Sequence, residues 1–334
     1  MNNGLQQHGK AESQTGESGG IAYLFPGQGA QYVGMGNDLC EHSAAARMVF
    51  ERADAALGFN LSELCFSGRL EDLNTTANTQ PAILATSVAV LAAMEEAGLP
   101  KPDVAAGLSL GEYTALVAAE ALSFEAALRL VRRRGELMET AVPDGQGAMA
   151  AVLGLPAAEV KAICRENAGE YVLEAVNFNC PGQVVVAGHR TAVEGSVEKF
   201  RAAGAKRVLL LAVSGPFHTS LMRPAAERLA EELAGIAWQE PKFTVLSNVD
   251  AGPMTGSGGD AISEKLIKQV CQPVLWEDII RRMGDGGIRN FVEVGPGKTL
   301  SALVRKIHPS GVGVLNVENM ESLTKLLESY QEVC

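Results

Sequence analysis

The chain has 334 residues, 47% of them hydrophobic and 20% charged, so it is long enough for two domains or for one domain with an insertion. Its 28 Lys and Arg residues against 39 Asp and Glu residues give a net charge of −11, which argues against nucleic acid as a general partner. Because no run of 18 apolar residues and no C-x-x-C pair occurs, we expect no membrane segment and a reducing, cytoplasmic location.

Residues 1–20 are polar and rich in Gly, Ser and Gln, and we expect a disordered leader there. A short apolar strand, 21–25, runs into a glycine turn that contains Gln28. The turn has neither a Walker Lys-Ser/Thr nor G-x-G-x-x-G, so it does not predict a phosphate loop. Gln28 would stand at the carboxyl end of the strand, where open α/β sheets build their sites. Helical periodicity then predicts helices over about 38–57 and 78–97.

The motif Gly107-x-Ser109-x-Gly111 lies between an apolar strand and a run of helix-forming residues. In a nucleophile elbow of this kind, glycines flank a tight turn that pushes the serine hydroxyl out above the sheet. Backbone N–H groups at the start of the helix then face a developing oxyanion. The alternative is a serine that only caps a helix. The motif predicts Ser109 as a nucleophile.

An amphipathic helix over 124–138 carries four arginines. Charged runs on helices are usually solvated or ion-paired, and we expect this of Arg129, Arg132 and Arg133. Arg134 differs because it precedes Gly135, a glycine inside the helix where another backbone can approach closely.

From 148 to 213 the pattern is strand-helix-strand-strand-helix-strand, the order of the split ferredoxin-like motif. Strands and helices alternate again after it. We therefore predict an α/β fold whose main domain, over 21–145 and 214–334, resembles an α/β-hydrolase with a parallel sheet. The inserted ferredoxin-like subdomain would occupy 146–213.

A serine nucleophile needs a general base, and the chain has five histidines. His218 lies in a Gly/Pro loop directly after a buried strand, a place where loops carry chemistry. His308 is the alternative, because an α/β-hydrolase places its histidine late in the chain. We predict His218 as the base, with a backbone carbonyl holding its other ring nitrogen. The remaining three are His8, His42 and His189.

Seven motifs, in order from residue 21 to the C-terminus, resemble the malonyl-coenzyme A:acyl carrier protein transacylase family. They are Phe25-Pro26-Gly27-Gln28-Gly29, Asn78-Thr79-Gln80-Pro81-Ala82, Gly107-x-Ser109-Leu110-Gly111-Glu112-Tyr113, Arg134-Gly135, Asn177-x-Asn179-x-Pro181-Gly182-Gln183, Pro216-Phe217-His218 and Glu293-Val294-Gly295-Pro296-Gly297. One departure is Leu108, where many members have His; since the chemistry assigns that position no proton, we expect activity to survive.

The resemblance implies a ping-pong transfer of malonyl from coenzyme A to the phosphopantetheine thiol of acyl carrier protein. Ser109 would carry the malonyl group and His218 would move the proton. Coenzyme A is then part of the substrate, and we expect no cofactor, no metal and a monomer. The resemblance assigns further site positions as follows: backbone N–H groups of Gln28 and Leu110 for the oxyanion, Arg134 for the malonyl carboxylate, Gln80 for substrate binding, Gln272 for the carbonyl that steadies His218, and Phe217 for preference of malonyl over methylmalonyl.

Two other functions fit parts of this pattern. The first is a serine acyl hydrolase or thioesterase on the same scaffold, which would gain nothing from a buried Arg134. The second is a silent domain that only docks carrier protein. Carrier proteins of this pathway are generally acidic, so docking on a chain of charge −11 requires a local basic patch. The candidates are Lys199, Arg201, Lys206 and Arg207, or Arg281 and Arg282.

Overall fold

A five-stranded parallel sheet and a separate four-stranded antiparallel sheet form the framework of the computed structural model, which describes residues 19–213, 215–255 and 259–331. Positions 1–18 of the predicted leader and the predicted boundary at 214 lie outside the described residues. The strands are β1 Gly20–Phe25, β2 Val104–Gly107, β3 Gly147–Leu153, β4 Leu173–Cys180, β5 Gln183–His189, β6 Arg207–Leu210, β7 Thr244–Leu246, β8 Ile288–Val294 and β9 Gly313–Val317.

The helices cover both faces of the parallel sheet and one face of the antiparallel sheet. They are α1 Asn37–His42, α2 Ala44–Leu57, α3 Leu61–Ser67, α4 Leu70–Leu73, α5 Thr76–Glu96, α6 Gly111–Ala118, α7 Phe124–Thr140, α8 Ala157–Asn167, α9 Arg190–Ala202, α10 Arg223–Ala234, α11 Asp260–Cys271, α12 Trp276–Asp285, α13 Thr299–Ile307 and α14 Met320–Gln331.

The parallel sheet has the strand order β7-β2-β1-β8-β9, with β1 at its centre. Phe25 at the end of β1 pairs with Gly107 at the end of β2, so the two strands finish at the same level. The turn that contains Gln28 and the turn that contains Ser109 therefore leave the sheet side by side at its carboxyl edge.

The antiparallel sheet is built from consecutive elements, β3-α8-β4-β5-α9-β6, with the strand order β4-β5-β3-β6. Its strands span residues 147–210, inside the predicted 146–213 insertion. A hydrophobic core of its own, including Val152, Val160 and Phe200, lies between this sheet and its two helices. The predicted coarse architecture, an α/β fold with a parallel sheet, is confirmed.

The predicted helix over 38–57 is in fact two helices, α1 and α2. The break falls at Ser43, whose backbone is extended and whose hydroxyl accepts from Ala46 N at 3.0 Å. Serine favours such an N-cap because its short side chain satisfies a free N–H group of the first helical turn.

Helix α5 passes through the core and is long and apolar enough, by composition, to cross a membrane. Within the fold, however, 83% of its apolar stretch is buried by protein. Pro81 lies inside this helix and cannot donate to the carbonyl of Ala77 four residues earlier. Arg132 Nη1 donates to that carbonyl instead, at 3.3 Å.

Candidate active site

Ser109 lies in a sharp turn between β2 and α6. Its backbone φ is +53°, in the left-handed region that residues other than glycine rarely adopt. A Cβ atom on Gly107 would stand 1.8 Å from the carbonyl carbon of Gly111, and one on Gly111 would stand 2.1 Å from the oxygen of Phe25. The turn is so tight that only glycine fits at both flanking positions of the motif.

Asn248, which follows β7, holds this turn from a neighbouring strand. Its side-chain oxygen accepts from Ser109 N at 2.7 Å, and its side-chain nitrogen donates to Gly107 O at 2.8 Å. A non-glycine residue held at positive φ costs about 1–3 kcal/mol. The two bonds from the fully buried Asn248 stabilise the turn against that strain.

His218 is the histidine that contacts Ser109 in the part of the chain that the structure describes. Its Nε2 lies 2.8 Å from Ser109 Oγ, and its Nδ1 lies 2.7 Å from the backbone oxygen of Gln269. Because a carbonyl oxygen only accepts hydrogen bonds, Nδ1 carries the proton and Nε2 is the acceptor that faces the serine hydroxyl. Nε2 is therefore positioned to take the proton of Ser109.

The alternative base, His308, is packed between α12 and β8. Its Nε2 lies 3.2 Å from the carbonyl oxygen of Ile280. His42 and His189 also contact backbone groups away from Ser109, and His8 lies outside the described residues.

The pKa of His218 is lowered to about 4. The main cause is burial, which disfavours the charged ring, and the second is the positive charge of Arg134. The hydrogen bond to Gln269 O acts in the opposite direction. The imidazole is therefore neutral at pH 7, as a general base must be.

Two backbone N–H groups beside the serine, those of Gln28 and Leu110, make no hydrogen bond to any residue that the structure describes. Leu110 directly precedes α6, and Gln28 lies in the turn after β1. The two turns touch, because a Cβ atom on Gly27 would stand 2.3 Å from the oxygen of Leu108. Free donors next to a nucleophile are the requirement of an oxyanion site.

Arg134 reaches the serine from α7. A Cβ atom on the next residue, Gly135, would stand 2.7 Å from the Cα atom of Ala77 on α5. The close approach predicted at this glycine is therefore confirmed. It brings Gln80 of α5 within 2.8 Å of Arg134 Nη1, to which Gln80 Oε1 is the acceptor.

The Arg134 side chain is buried, with 1% of its residue surface exposed, and its hydrogen-bond acceptors are all neutral. Besides Gln80, they are Gln269 Oε1 at 2.8 Å and Ser109 Oγ at 3.0 Å, both bonded to Nη2. No carboxylate in the described ranges forms an ion pair with Arg134. Burial lowers the pKa of Arg134, and the nearby Tyr113 and Glu112 act against this. A ligand carboxylate would supply a counter-ion bonded directly to the guanidinium.

The neighbouring arginines are surface residues, as predicted. Arg132 and Arg133 each form an ion pair with Glu136 at 3.1 Å, and Arg129 is exposed.

The prediction that Gln272 supplies the carbonyl for His218 is wrong. That carbonyl belongs to Gln269 in the last turn of α11, whereas Gln272 follows the helix and is exposed. Carbonyls of the last helical turn have no partner within the helix, so they are free to accept from a side chain. The signal for Gln269 was its position, because it shares the buried face of α11 with Ile262 and Leu266.

Two further residues belong to the site: Glu112, which stands in the Ser109 motif but was assigned no role, and Asn248, which is in none of the seven motifs. Glu112 is fully buried, and its two oxygens accept from Asn248 N at 2.8 Å and from Gln269 Nε2. Burial raises the pKa of Glu112 to about 7, against the effect of these hydrogen bonds. Two signals were available in the sequence. Glu112 is an acid in an otherwise apolar first helical turn, and Asn248 follows a buried strand.

Phe217 is buried in the main hydrophobic core immediately before His218. The aromatic ring stands 3.1 Å from where a Cβ atom on Gly215 would be. Its role in substrate preference stays a prediction.

Residues 22–330 match the family model of the acyl transferase domain. The chain belongs to the acyl transferase family. A malonyl CoA-acyl carrier protein transacylase from Bacillus subtilis is 45% identical over 93% of this chain and 98% of its own length. An acyl carrier protein S-malonyltransferase from Vibrio cholerae is 43% identical with a TM-score of 0.89, covering 92% of this chain and 99% of its own. A malonyl-transacylase solved in complex with a type II PKS acyl-carrier protein is 42% identical with a TM-score of 0.90, covering 93% of this chain and 99% of its own.

The resemblance drawn from the seven motifs is thus confirmed, as is the prediction of an acyltransferase. The match to the acyl transferase family spans both sheets and all the site residues described above. The antiparallel unit is therefore an integral part of the acyl transferase domain.

Proposed function

We propose that this chain transfers malonyl from malonyl-coenzyme A to the phosphopantetheine thiol of an acyl carrier protein, through an ester on Ser109. The observation that carries the proposal is the buried Arg134, which lies beside the Ser109 and His218 pair and has only neutral hydrogen-bond acceptors. The names of the relatives support the choice of substrate and partner.

In the first half-reaction, Ser109 Oγ attacks the thioester carbonyl carbon while its proton passes to His218 Nε2. The C–S bond then breaks, and the coenzyme A sulfur leaves with the proton that Nε2 returns. The 2.8 Å contact between Oγ and Nε2 and the neutral state of the imidazole support this direction of transfer. The product is a malonyl ester on Ser109.

The second half-reaction repeats these steps with a different thiol. The phosphopantetheine thiol gives its proton to His218 Nε2, and its sulfur attacks the ester carbonyl. Ser109 Oγ leaves and regains the proton, so the enzyme returns to its starting state. In both halves we assign the developing oxyanion to the N–H groups of Gln28 and Leu110, each worth on the order of 10²–10³ in kcat.

Arg134 is assigned to the malonyl carboxylate. Its planar guanidinium can bind both carboxylate oxygens at once, and that ion pair forms in a site from which water is largely excluded. In a hydrolase of neutral acyl chains, burial of Arg134 would destabilise the protein, and the substrate would offer no charged group to pair with the guanidinium. This is why we favour transfer of a dicarboxylic acyl group over the serine acyl hydrolase.

We further infer that the Ser109 turn is a nucleophile elbow of the α/β-hydrolase kind, supported by its positive φ and its two obligatory glycines. The antiparallel unit, over 146–213, is inferred to be a ferredoxin-like subdomain, supported by its element order. The main domain would comprise 21–145 and 214–334. The proposed chemistry needs neither metal nor cofactor, and we propose a cytoplasmic monomer.

Intact-mass measurement tests the proposal. Wild-type protein mixed with malonyl-coenzyme A should gain one malonyl group, Ser109→Ala should gain none, and holo acyl carrier protein added afterwards should receive the group. Free coenzyme A without an acyl group on either protein would establish the hydrolase instead. If neither protein is modified and no coenzyme A is released, the substrate assignment is wrong.

A further inference from the structure

Glu112 takes no part in the proton transfers above, yet it is the only carboxylate among the described residues that is hydrogen-bonded to the network around Ser109. It lies in the first turn of α6, three residues after the serine, and is 0% exposed. Both of its oxygens accept, one from Asn248 N and one from Gln269 Nε2. No basic side chain within the described residues forms a direct ion pair with it.

The Gln269 side chain stands between this acid and Arg134. Its Nε2 donates to Glu112 and, at 2.7 Å, to the backbone oxygen of Ser109. Its Oε1 accepts from Arg134 Nη2 at 2.8 Å. Ionised Glu112 and the Ser109 carbonyl can only accept, so they select the orientation in which the amide oxygen faces the guanidinium.

We propose that Glu112 is a positioning residue that holds the Gln269 amide with its oxygen towards Arg134, and thereby keeps the guanidinium aligned for the malonyl carboxylate. This inference rests on the proposed function, because it concerns the same acyl site. It assigns Glu112 to substrate selection, whereas His218 is held separately by the backbone carbonyl of Gln269.

Replacing Glu112 by Gln keeps the shape but removes one of two acceptors. A glutamine at 112 can accept from Asn248 N or from Gln269 Nε2, while its own NH2 group faces the other donor. The backbone N–H of Asn248 is fixed, whereas the Gln269 amide can rotate by half a turn. The rotated amide would present NH2 to Arg134, so that two donors face each other, and it would also lose the hydrogen bond from Nε2 to the backbone oxygen of Ser109.

The experiment compares Ser109 loading from malonyl-coenzyme A and acetyl-coenzyme A in wild type and Glu112→Gln. We expect the malonyl preference to fall about ten- to hundredfold, the loss typical of a hydrogen bond to a charged group. The effect should be in KM for malonyl-coenzyme A, and acetyl loading per folded molecule should fall by much less than malonyl loading. A merely structural role would lower both loadings equally and leave KM alone.

Glu293→Gln is the matched control. Glu293 is also a fully buried glutamate, and its two oxygens accept from Leu300 N at 3.0 Å and Ser301 N at 2.7 Å at the start of α13, outside the site. It should lose stability without any change in malonyl preference. Glu112→Asp, which remains an acceptor at both oxygens, should retain more of the preference than Glu112→Gln.

An unchanged preference in folded Glu112→Gln overturns the inference, as does a preference that Glu112→Asp loses and Glu112→Gln keeps. If Glu112→Gln does not fold, wild type is measured between pH 8 and pH 6. Burial raises the pKa of Glu112 to about 7, and the positive charge of Arg134 acts to lower it. Protonation of Glu112 within this pH range removes the same acceptor. Tyr113 and His218 titrate outside this range. A constant preference would then overturn the inference, whereas wild type that never accepts malonyl would overturn the proposed function itself.

Discussion

We expect substrate choice to depend on the guanidinium of Arg134. Arg134→Ala should raise acetyl loading relative to malonyl loading by about a hundredfold, because a charge-assisted bidentate contact is lost. Arg134→Lys should recover only part of the malonyl preference, since an ammonium group lacks the planar fork. Competition between the two thioesters, read by intact mass, gives the ratio.

Arg133→Ala is the control for this measurement. Arg133 is the adjacent residue on α7 but lies at the surface, bonded to Glu136 and Glu232. Its removal should leave the ratio unchanged. An unaltered ratio in Arg134→Ala would contradict the assignment of the carboxylate to Arg134.

The pH dependence of acetyl loading reports on His218. A histidine whose pKa is lowered from 6.5 to about 4 stays neutral, and so stays a base, as the pH falls through 6 and 5. We therefore expect acetyl loading to be constant from pH 8 to about pH 5 and to decrease only as the pH approaches 4. Stopped-flow release of coenzyme A gives the rate. A decrease centred near pH 6.5 would show that His218 titrates as an exposed histidine does.

Phe217 precedes the base, and its bulk is the predicted barrier to a methyl branch. Wild type should have a higher kcat/KM for malonyl- than for methylmalonyl-coenzyme A, and Phe217→Ser should reduce the ratio of the two values. One methyl group in a pocket is worth about 1–3 kcal/mol, so a preference and not exclusion is expected. Comparable kcat/KM values for the two substrates in wild type would contradict the predicted role of Phe217 in substrate preference.

Local sequence patterns identified Ser109, His218 and Arg134, because the neighbours that make each one unusual are adjacent in the chain. The network behind them was not predictable in this way. Asn248 and Gln269 reach the serine turn from 139 and 160 residues away, and their partners exist only once the sheet is assembled. The Gln272 error has the same origin, since the end of α11 decides which carbonyl is free.

The close packing of α5 against α7 at Gly135 positions Arg134 beside Gln80, and a substitution at Gly135 tests whether this packing is required. Gly135→Ala places a methyl group 2.7 Å from Ala77 Cα, so the helices must separate and Arg134 must move away from Gln80. We expect a loss of about 1–3 kcal/mol of stability from overpacking, together with a higher KM for malonyl-coenzyme A.

Gly195→Ala provides the comparison. Gly195 lies in α9, and no atom lies within 4 Å of the position that its Cβ would take. The free energy of unfolding should rise by about 0.5–1 kcal/mol, because alanine favours the helix, with kinetics unchanged. Denaturant unfolding of both variants measures the difference. A Gly135→Ala protein with wild-type stability and KM would show that the close approach is not required.

Most helices and strands were predictable because their periodicity is local. The boundaries were less so: α5 begins at Thr76, which moves Pro81 from the first turn into the helix interior. Pro81 leaves the carbonyl of Ala77 without its helical donor, and Arg132 of α7 donates to that carbonyl instead. The central place of β1 also could not be read from sequence order, since β2 and β8 pair with it from opposite sides.

We expect the charge distribution of the molecule to affect its docking with an acidic carrier protein. Because the net charge is −11, we expect productive docking to depend on a local basic cluster, either Lys199, Arg201, Lys206 and Arg207 or Arg281 and Arg282. Transfer from isolated malonyl-enzyme to carrier protein should therefore slow as salt rises from 0.05 to about 0.5 M, because the Debye length shrinks. Mass spectrometry at several salt concentrations measures the rate. A rate independent of salt would exclude electrostatic docking.

The position of the reacting atoms between two helix ends has a consequence for both halves of the transfer. Ser109 and Leu110 lie at the N-terminus of α6, where the helix dipole is positive, and His218 is bonded to the C-terminal turn of α11, where it is negative. In the proposed mechanism, each half-reaction creates an oxyanion at the first helix end and an imidazolium at the second. One fixed electric field therefore stabilises loading and unloading alike, without reorganisation between them. The site then favours neither thiol, and the relative amounts of the two thioesters and their free thiols decide which way malonyl flows, as they do for any catalyst.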